Sequence, residues 1–211
     1  MHSHLLPGVD DSRQSRFFFD RMLRCYAEIG FGGIVFTPHI DNPSVRTKKD
    51  RIQKTFEWAS RKAEEYDLKT YLGSEYYVVD QKKIDLIPIF GKYALCETFT
   101  GTMPKDYLDV LRRVKDKGYE IIIAHIERYI WLKPDSEVMR SLVEELKVKI
   151  QVNAMGAMTK EGKRYLSLDM VDFLASDCHG DRKLVGELYR QLEKNPNVAF
   201  KMCDFFAQEI E

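Results

Sequence analysis

The chain has 211 residues, 44% of them apolar, with 33 Lys plus Arg against 33 Asp plus Glu. That length suits one sizeable core, since domains run ~100–200 residues, and a formally neutral chain has no overall pull on nucleic acid or anionic membrane, which argues against a dedicated nucleic-acid binder. No apolar run approaches the ~18 residues of a membrane span, and Met1-His2-Ser3-His4 lacks a basic stretch leading into an apolar one, so neither membrane insertion nor a signal peptide is expected and the default location is the cytoplasm.

The elements alternate along one domain, residues 1–211. Phe18, Met22, Cys25 and Ile29 recur as one helix face, with Ser12 or Ser15 as N-cap and Gly30 as the stop. Gly33 to Thr37 reads as a buried strand. Ile52, Phe56, Ala59, Ala63 and Tyr66 mark a second helix. Short strands follow at Lys69–Leu72 and Tyr93–Glu97. Tyr107, Leu108, Leu111 and Val114 mark a helix ended by Gly118. Tyr119–Ala124, with three consecutive isoleucines, is the strongest strand. A helix over 136–147, strands at Val148–Asn153 and Asp172–Ser176, and helices over 182–193 and 200–210 complete the pattern. Strands alternating with helices imply parallel βαβ units under helical cover. Six to seven units in one domain point to an α/β fold, a (β/α) barrel shorter than the usual eight.

Cys25, Cys96, Cys178 and Cys203 form no C-x-x-C. A thiolate phosphatase needs Arg six residues after its Cys; Phe31, Thr102, Leu184 and Glu209 stand there instead. The five histidines follow another logic. His2 and His4 are two apart, so on a strand both imidazoles point the same way. His39, Glu75, His125, Asp177 and His179 each fall at or just past the C-terminal end of an expected strand. In a (β/α) barrel those ends converge on one face. The joint pattern is a metal-site hypothesis, although each residue alone would read as an ordinary polar group.

His2-Ser3-His4-Leu5-Leu6-Pro7-Gly8-Val9-Asp10-Asp11 resembles the opening motif of the PHP (polymerase and histidinol phosphatase) superfamily. Thr37-Pro38-His39, Gly73-Ser74-Glu75-Tyr76, Ala124-His125-Ile126-Glu127-Arg128-Tyr129 and Ala175-Ser176-Asp177-Cys178-His179 continue it in order. The set is most similar to the bacterial metal-dependent protein tyrosine phosphatases of capsular and exopolysaccharide biosynthesis. The resemblance implies a distorted seven-stranded (β/α) barrel holding two or three ions, Mn²⁺ first, with Fe or Zn as alternatives. It implies one ion on His2, His4, Glu75 and Asp177, a second on Asp11, His39 and His179, and a third shared by Glu75 and His125. Asp11 is taken over Asp10 by the motif's register, although both could instead start the following helix.

Imidazole and carboxylate without thiolate suit such ions, and clustered cations activate water against a phosphoryl group. Arg128 is the expected phosphate clamp, against a surface ion pair with Glu127. Arg182 is a second phosphate candidate, and Asp177 a candidate proton donor as well as ligand. Tyr76, Tyr77 and Tyr129 fit either ordinary packing or a phosphotyrosine pocket. Met1 directly precedes His2, so the first strand is expected to be nearly missing. Many members carry a His in the stretch corresponding to Glu97–Pro104; this chain has none, leaving Glu97 or the threonines, and the third ion is expected to be held weakest. The implied substrate is a phosphotyrosine protein, an autophosphorylating kinase of polysaccharide export. The alternatives are a phosphoesterase for a small molecule such as histidinol phosphate, and a degenerate barrel kept as a binding partner.

Overall fold

The computed structural model describes residues 1–11, 15–79 and 83–210. Ser12 lies outside them, and Ser15 is the N-cap, its hydroxyl accepting from the Phe18 N–H. The first helix, α1 (Arg16–Ile29), ends on Gly30 at φ 100°, a left-handed conformation open to glycine. Its buried face is Phe19, Met22, Leu23, Cys25 and Tyr26. Phe18 is exposed, which corrects the expected stripe. Three successive phenylalanines, 17–19, make the periodicity ambiguous by one residue, and packing selects Phe19, which meets Phe36 and Trp58.

The strands are β1 (Gly33–Phe36), β2 (His39–Ile40), β3 (Lys69–Leu72), β4 (Glu75–Tyr77), β5 (Tyr93–Glu97), β6 (Glu120–Ile123), β7 (Lys149–Asn153) and β8 (Phe173–Ala175). Every pairing between them is parallel. They form a two-stranded sheet, β1-β3, and a six-stranded sheet ordered β2-β4-β5-β6-β7-β8. The fold is α/β, and the expected strands are present, but the ladder is not one closed seven-stranded sheet. Two of the expected strand paths are split. Pro38, which has no N–H, separates β1 from β2, and Gly73-Ser74 separate β3 from β4.

Residues 1–4 contribute a single bridge, Ser3 with Cys178. His4 N–H donates to Cys178 O at 2.9 Å, Asp177 N–H to His2 O at 3.1 Å, and Thr37 N–H to Ser3 O at 2.9 Å. The start of the chain is therefore held between the end of β8 and the end of β1.

The helices are α2 (Ile52–Glu64), α3 (Tyr107–Asp116), α4 (Glu137–Arg140), α5 (Lys160–Ser167), α6 (Arg182–Lys194) and α7 (Pro196–Ile210). The expected helix over 136–147 is one α-helical turn followed by a π-turn, Ser141–Glu145. The last helix begins earlier than expected, on Pro196, where proline's missing N–H costs nothing. Strand β6 places Ile121, Ile122 and Ile123 at full burial between β5 and β7, as a strand covered on both faces requires. A cavity of about 550 Å³ lies beside β1 and β3 against α1, α6 and α7, lined by Tyr26, Ile34, Tyr71, Leu188 and Met202 among others, with His2 and Ser176 at one end. The titratable cluster lies mainly beyond the C-terminal ends of β1, β3, β6 and β8.

Candidate metal centre

The C-terminal strand ends bring together all eight expected ligand residues. His2 and His4 turn their Nε2 atoms to within 2.9 Å of each other. Glu75 Oε2 lies 3.3 Å from the first and 3.1 Å from the second, and Asp177 Oδ1 lies 3.5 Å from both. Asp11 Oδ2 sits 3.3 Å from His179 Nε2 and 3.7 Å from His39 Nε2. Glu75 Oε1 faces His125 Nε2 at 2.8 Å. Glu97 reaches His39 Nδ1 at 2.9 Å and His125 Nε2 at 3.8 Å. Among the described residues, three overlapping groups have ligand atoms close enough to share an ion: His4, Asp11, His39 and His179; His2, His4 and Glu75; and His39, Glu75 and Glu97.

Two of these residues sit on unusual backbone. His125 has φ 32° and Asp177 φ 48°. Such left-handed positions cost on the order of 1–3 kcal/mol each and gather at functional sites. Both follow directly on buried strand ends, and the turn aims each side chain across the strand ends rather than outward.

The electrostatics are those of a dense ion-pair cluster. Burial pushes Glu75 up, but His2, His125 and His39 around it hold its carboxyl well below the usual range. Burial likewise opposes ionisation of Asp177, yet the His2 and His4 charges bring it down to about 2. Burial lowers His4, and its bonds to Asp10 and Glu75 more than reverse that, raising it to about 10. His39 and His125 are raised for the same kind of reason.

Several partners were not foreseen. Asp10, passed over for Asp11, accepts from the His39 backbone N–H at 3.1 Å and lies 2.9 Å from His4 Nδ1, so it orients the His4 imidazole and pins the His39 backbone while Asp11 faces the cluster. Gln151 Oε1 accepts the His125 N–H at 2.9 Å and meets His2 Nδ1 at 3.2 Å. Asn153 donates to Asp177 Oδ2 at 2.9 Å. The signal available was two amides, Gln151 and Asn153, on alternate positions of β7, flanking Val152.

Arg128 donates to Asp177 Oδ2 at 2.8 Å while remaining half exposed. Glu127, its expected alternative partner, instead turns inward and accepts from Asn153 N–H at 3.3 Å. Arg182 starts α6, and its guanidinium lies 3.7 Å from Glu28 of α1, so the structure does not bring it to the cluster. Tyr76 and Tyr129 are buried, and Tyr129 Oη accepts from Thr98 N–H, so both belong to the core; Tyr77 is half-buried. Burial pushes the Cys178 thiol up to about 12 and also raises Cys96, leaving neither as a thiolate.

These residues fit divalent cations. The donors are nitrogen and oxygen without sulfur, which suits hard to borderline ions. Their ligating atoms converge within 4.8 Å in each group. His125 turns its Nε2, not Nδ1, to the Glu75 and Glu97 carboxylates, the nitrogen a cation shared with them would take.

A model of the family described as capsular polysaccharide synthesis, CpsB/CapC, matches residues 1–195. The chain belongs to that family. It is 29% identical to the tyrosine-protein phosphatase CpsB of Streptococcus pneumoniae, over 85% of this chain and 82% of that protein. It is 24% identical to the tyrosine-protein phosphatase YwqE of Bacillus subtilis strain 168, over 85% of this chain and 76% of that protein. A solved structure described as YwqE and CpsB, unique metal-dependent tyrosine phosphatases, superposes with a TM-score of 0.78 at 22% identity, covering 92% of this chain and 85% of that one. That match extends the shared fold over nearly the whole chain.

Proposed function

We propose that this chain is a metal-dependent protein-tyrosine phosphatase of capsular polysaccharide synthesis. The observation that carries the reading is the triple overlap of His and carboxylate donors with a half-exposed Arg128 beside it. The relatives' shared name, tyrosine-protein phosphatase, supports it. In this reading His2, His4, Glu75 and Asp177 hold one ion. Asp11, His39 and His179 hold a second, and Glu75, His125 and Glu97 a third. Manganese is the ion proposed, with iron or zinc as the other ions this donor set accepts. The same reading takes residues 1–211 as a single PHP-type domain, with residues 1–4 the reduced first strand of a distorted seven-stranded (β/α) barrel. The bonds of Ser3 and His4 to Thr37 and Cys178 support that strand assignment.

When bound, such cations supply Lewis acidity toward phosphoryl oxygens and a nucleophile near neutral pH. The chain's own groups do the rest. Arg128 offers the phosphate a planar fork of donors. Asn153 holds Asp177 Oδ2, so its carboxylate keeps Oδ1 toward His2 and His4 even when Arg128 turns to the substrate. Asp10 and Gln151 fix the imidazoles of His4 and His2. Arg182, paired with Glu28, leaves the clamp to Arg128.

The proposed substrate is an autophosphorylated tyrosine kinase of polysaccharide export, met in the cytoplasm. Among the described residues no helix is long and apolar enough to cross a membrane. The test is hydrolysis of p-nitrophenyl phosphate. EDTA should abolish it, Mn²⁺ should restore it, and alkylation with iodoacetamide should leave it intact. Full activity in EDTA, or loss on alkylation of a sample that stays folded, would overturn the reading.

A further inference from the structure

The segments that follow three neighbouring strands share a feature: Glu97 and Asn153 end β5 and β7, Arg128 closes the 3-10 turn Ile126–Arg128 after β6, and two residues after each comes an exposed apolar side chain. Glu97 is followed by Phe99, 54% exposed; Arg128 by Ile130, 68% exposed; and Asn153 by Met155, 50% exposed. Met158 and Val79 are also exposed, on the segments after β7 and β4. Scattered exposed apolar residues need no explanation, but a contiguous group does.

These segments are tied to one another. Ile130 N–H donates to Thr100 O at 3.1 Å, and Trp131 Nε1 to Phe99 O at 3.0 Å. Gly156, next to Met155, packs against the Glu127 carboxylate, next to Arg128. The other side of the rim differs at the same spacing. Two residues after His39 comes Asp41, ion-paired with Lys49 at 2.7 Å. Two residues after His179 comes Asp181, which caps α6 through the Lys183 N–H at 2.9 Å. Acidic residues there serve caps and ion pairs, whereas the residues at that spacing over β5–β7 are apolar and at least half exposed.

We infer that Phe99, Ile130 and Met155 form a specificity surface that binds apolar side chains immediately flanking the phosphotyrosine of a substrate protein. The inference rests on the phosphatase reading and adds a substrate class to it. Continuity decides the occupant. The surface is interleaved in sequence with Arg128, Glu97 and Asn153, so a phosphotyrosine reaching the cluster carries its neighbouring residues onto these side chains. A phosphate on a small molecule would leave them uncovered.

The experiment compares three phosphotyrosine peptides that differ in the two residues on each side, leucine, serine or aspartate, with p-nitrophenyl phosphate as a substrate lacking flanks. The manganese-loaded full chain should favour leucine over serine by roughly tenfold in kcat/KM, the discrimination expected of modest apolar contacts. The triple variant Phe99→Gln, Ile130→Gln, Met155→Gln should lose most of that preference while hydrolysing p-nitrophenyl phosphate at the parent rate. Should the triple variant fail to fold, Ile130→Gln alone decides, because its side chain is mostly in solvent. Equal use of the three peptides, or a preference that survives the variants, overturns the inference and leaves the phosphatase reading standing. No hydrolysis of p-nitrophenyl phosphate by the parent overturns both. A concentration-dependent dimer in sedimentation, dissolved by the variants, would assign the surface to a second copy and also overturn it.

Discussion

Arg128 and Asp177 share a hydrogen bond of 2.8 Å on one carboxylate oxygen, Oδ2, while the other oxygen of Asp177 faces His2 and His4. The arginine thus touches the cluster through an atom that the imidazoles do not need. It can leave Asp177 for a phosphate without releasing the carboxylate, because Asn153 holds the same oxygen. Arg128→Lys should therefore lower turnover far more than metal content. Lysine keeps the charge and loses the fork, so a loss on the order of tenfold, ~1.4 kcal/mol of barrier, is expected. Steady-state kinetics beside elemental analysis measures both, and a kinetically silent variant would make Arg128 a surface charge.

Glu97 is the one carboxylate in the stretch 97–104, and it reaches the cluster. It is buried and shared between His39 and His125, with Asn42 donating to it at 2.7 Å. Glu97→Gln should cost the third ion ~10–100-fold in affinity while two ions stay bound. Calorimetric titration of the two proteins reads this directly. Loss of all ions together would merge the three groups into one indivisible site.

Metal uptake should release protons. With His4 raised to about 10 from 6.5, the metal-free protein carries that imidazole charged at pH 7. Its pairing stabilises the metal-free fold fully below pH 6.5 and is lost as pH rises through about 10. A cation needs the neutral ring, so its apparent affinity rises with pH across that window. Binding enthalpies in phosphate and in Tris should differ by the buffers' ionisation heats; identical enthalpies would mean that no proton leaves.

Gly156→Ala should be destabilising, because its Cβ would meet the Glu127 carboxylate, and the adjoining Gly162 already abuts Gly156 O. Overpacking of this kind costs ~1–3 kcal/mol. Gly186→Ala is the control. It sits within α6 with nothing within 4 Å, so alanine should gain roughly 0.5–1 kcal/mol there. Thermal melts of the two variants should move in opposite directions.

Much of this was legible in the residues because the chemistry is local to strand ends. Ile121–Ile123 announce a covered strand, and His39, His125 and His179 open or follow one. What escaped has physical reasons. Strands β2 and β4 are short and begin on His39 and Glu75, polar residues that conceal a strand from any hydropathy pattern. Helix α5 carries Gly162 and few apolar residues, and only its Thr159 cap marks it. Asp10 and Asp11 are identical as types, and only the fold sends one behind the imidazoles and the other in front. Arg182 is near the last motif in sequence, but a helix start points it to Glu28 instead.

The bond from Asp177 N–H to His2 O joins positions 175 residues apart. During translation at ~5–20 residues per second, the interval between the emergence of these two residues is on the order of ten to thirty-five seconds. Until then His2 and His4 wait on a nascent chain with neither carboxylate-bearing β8 turn nor its flanking helix to dock against. The full set of eight residues is therefore brought together only after the β8 turn, which carries Asp177 and His179, has left the ribosome.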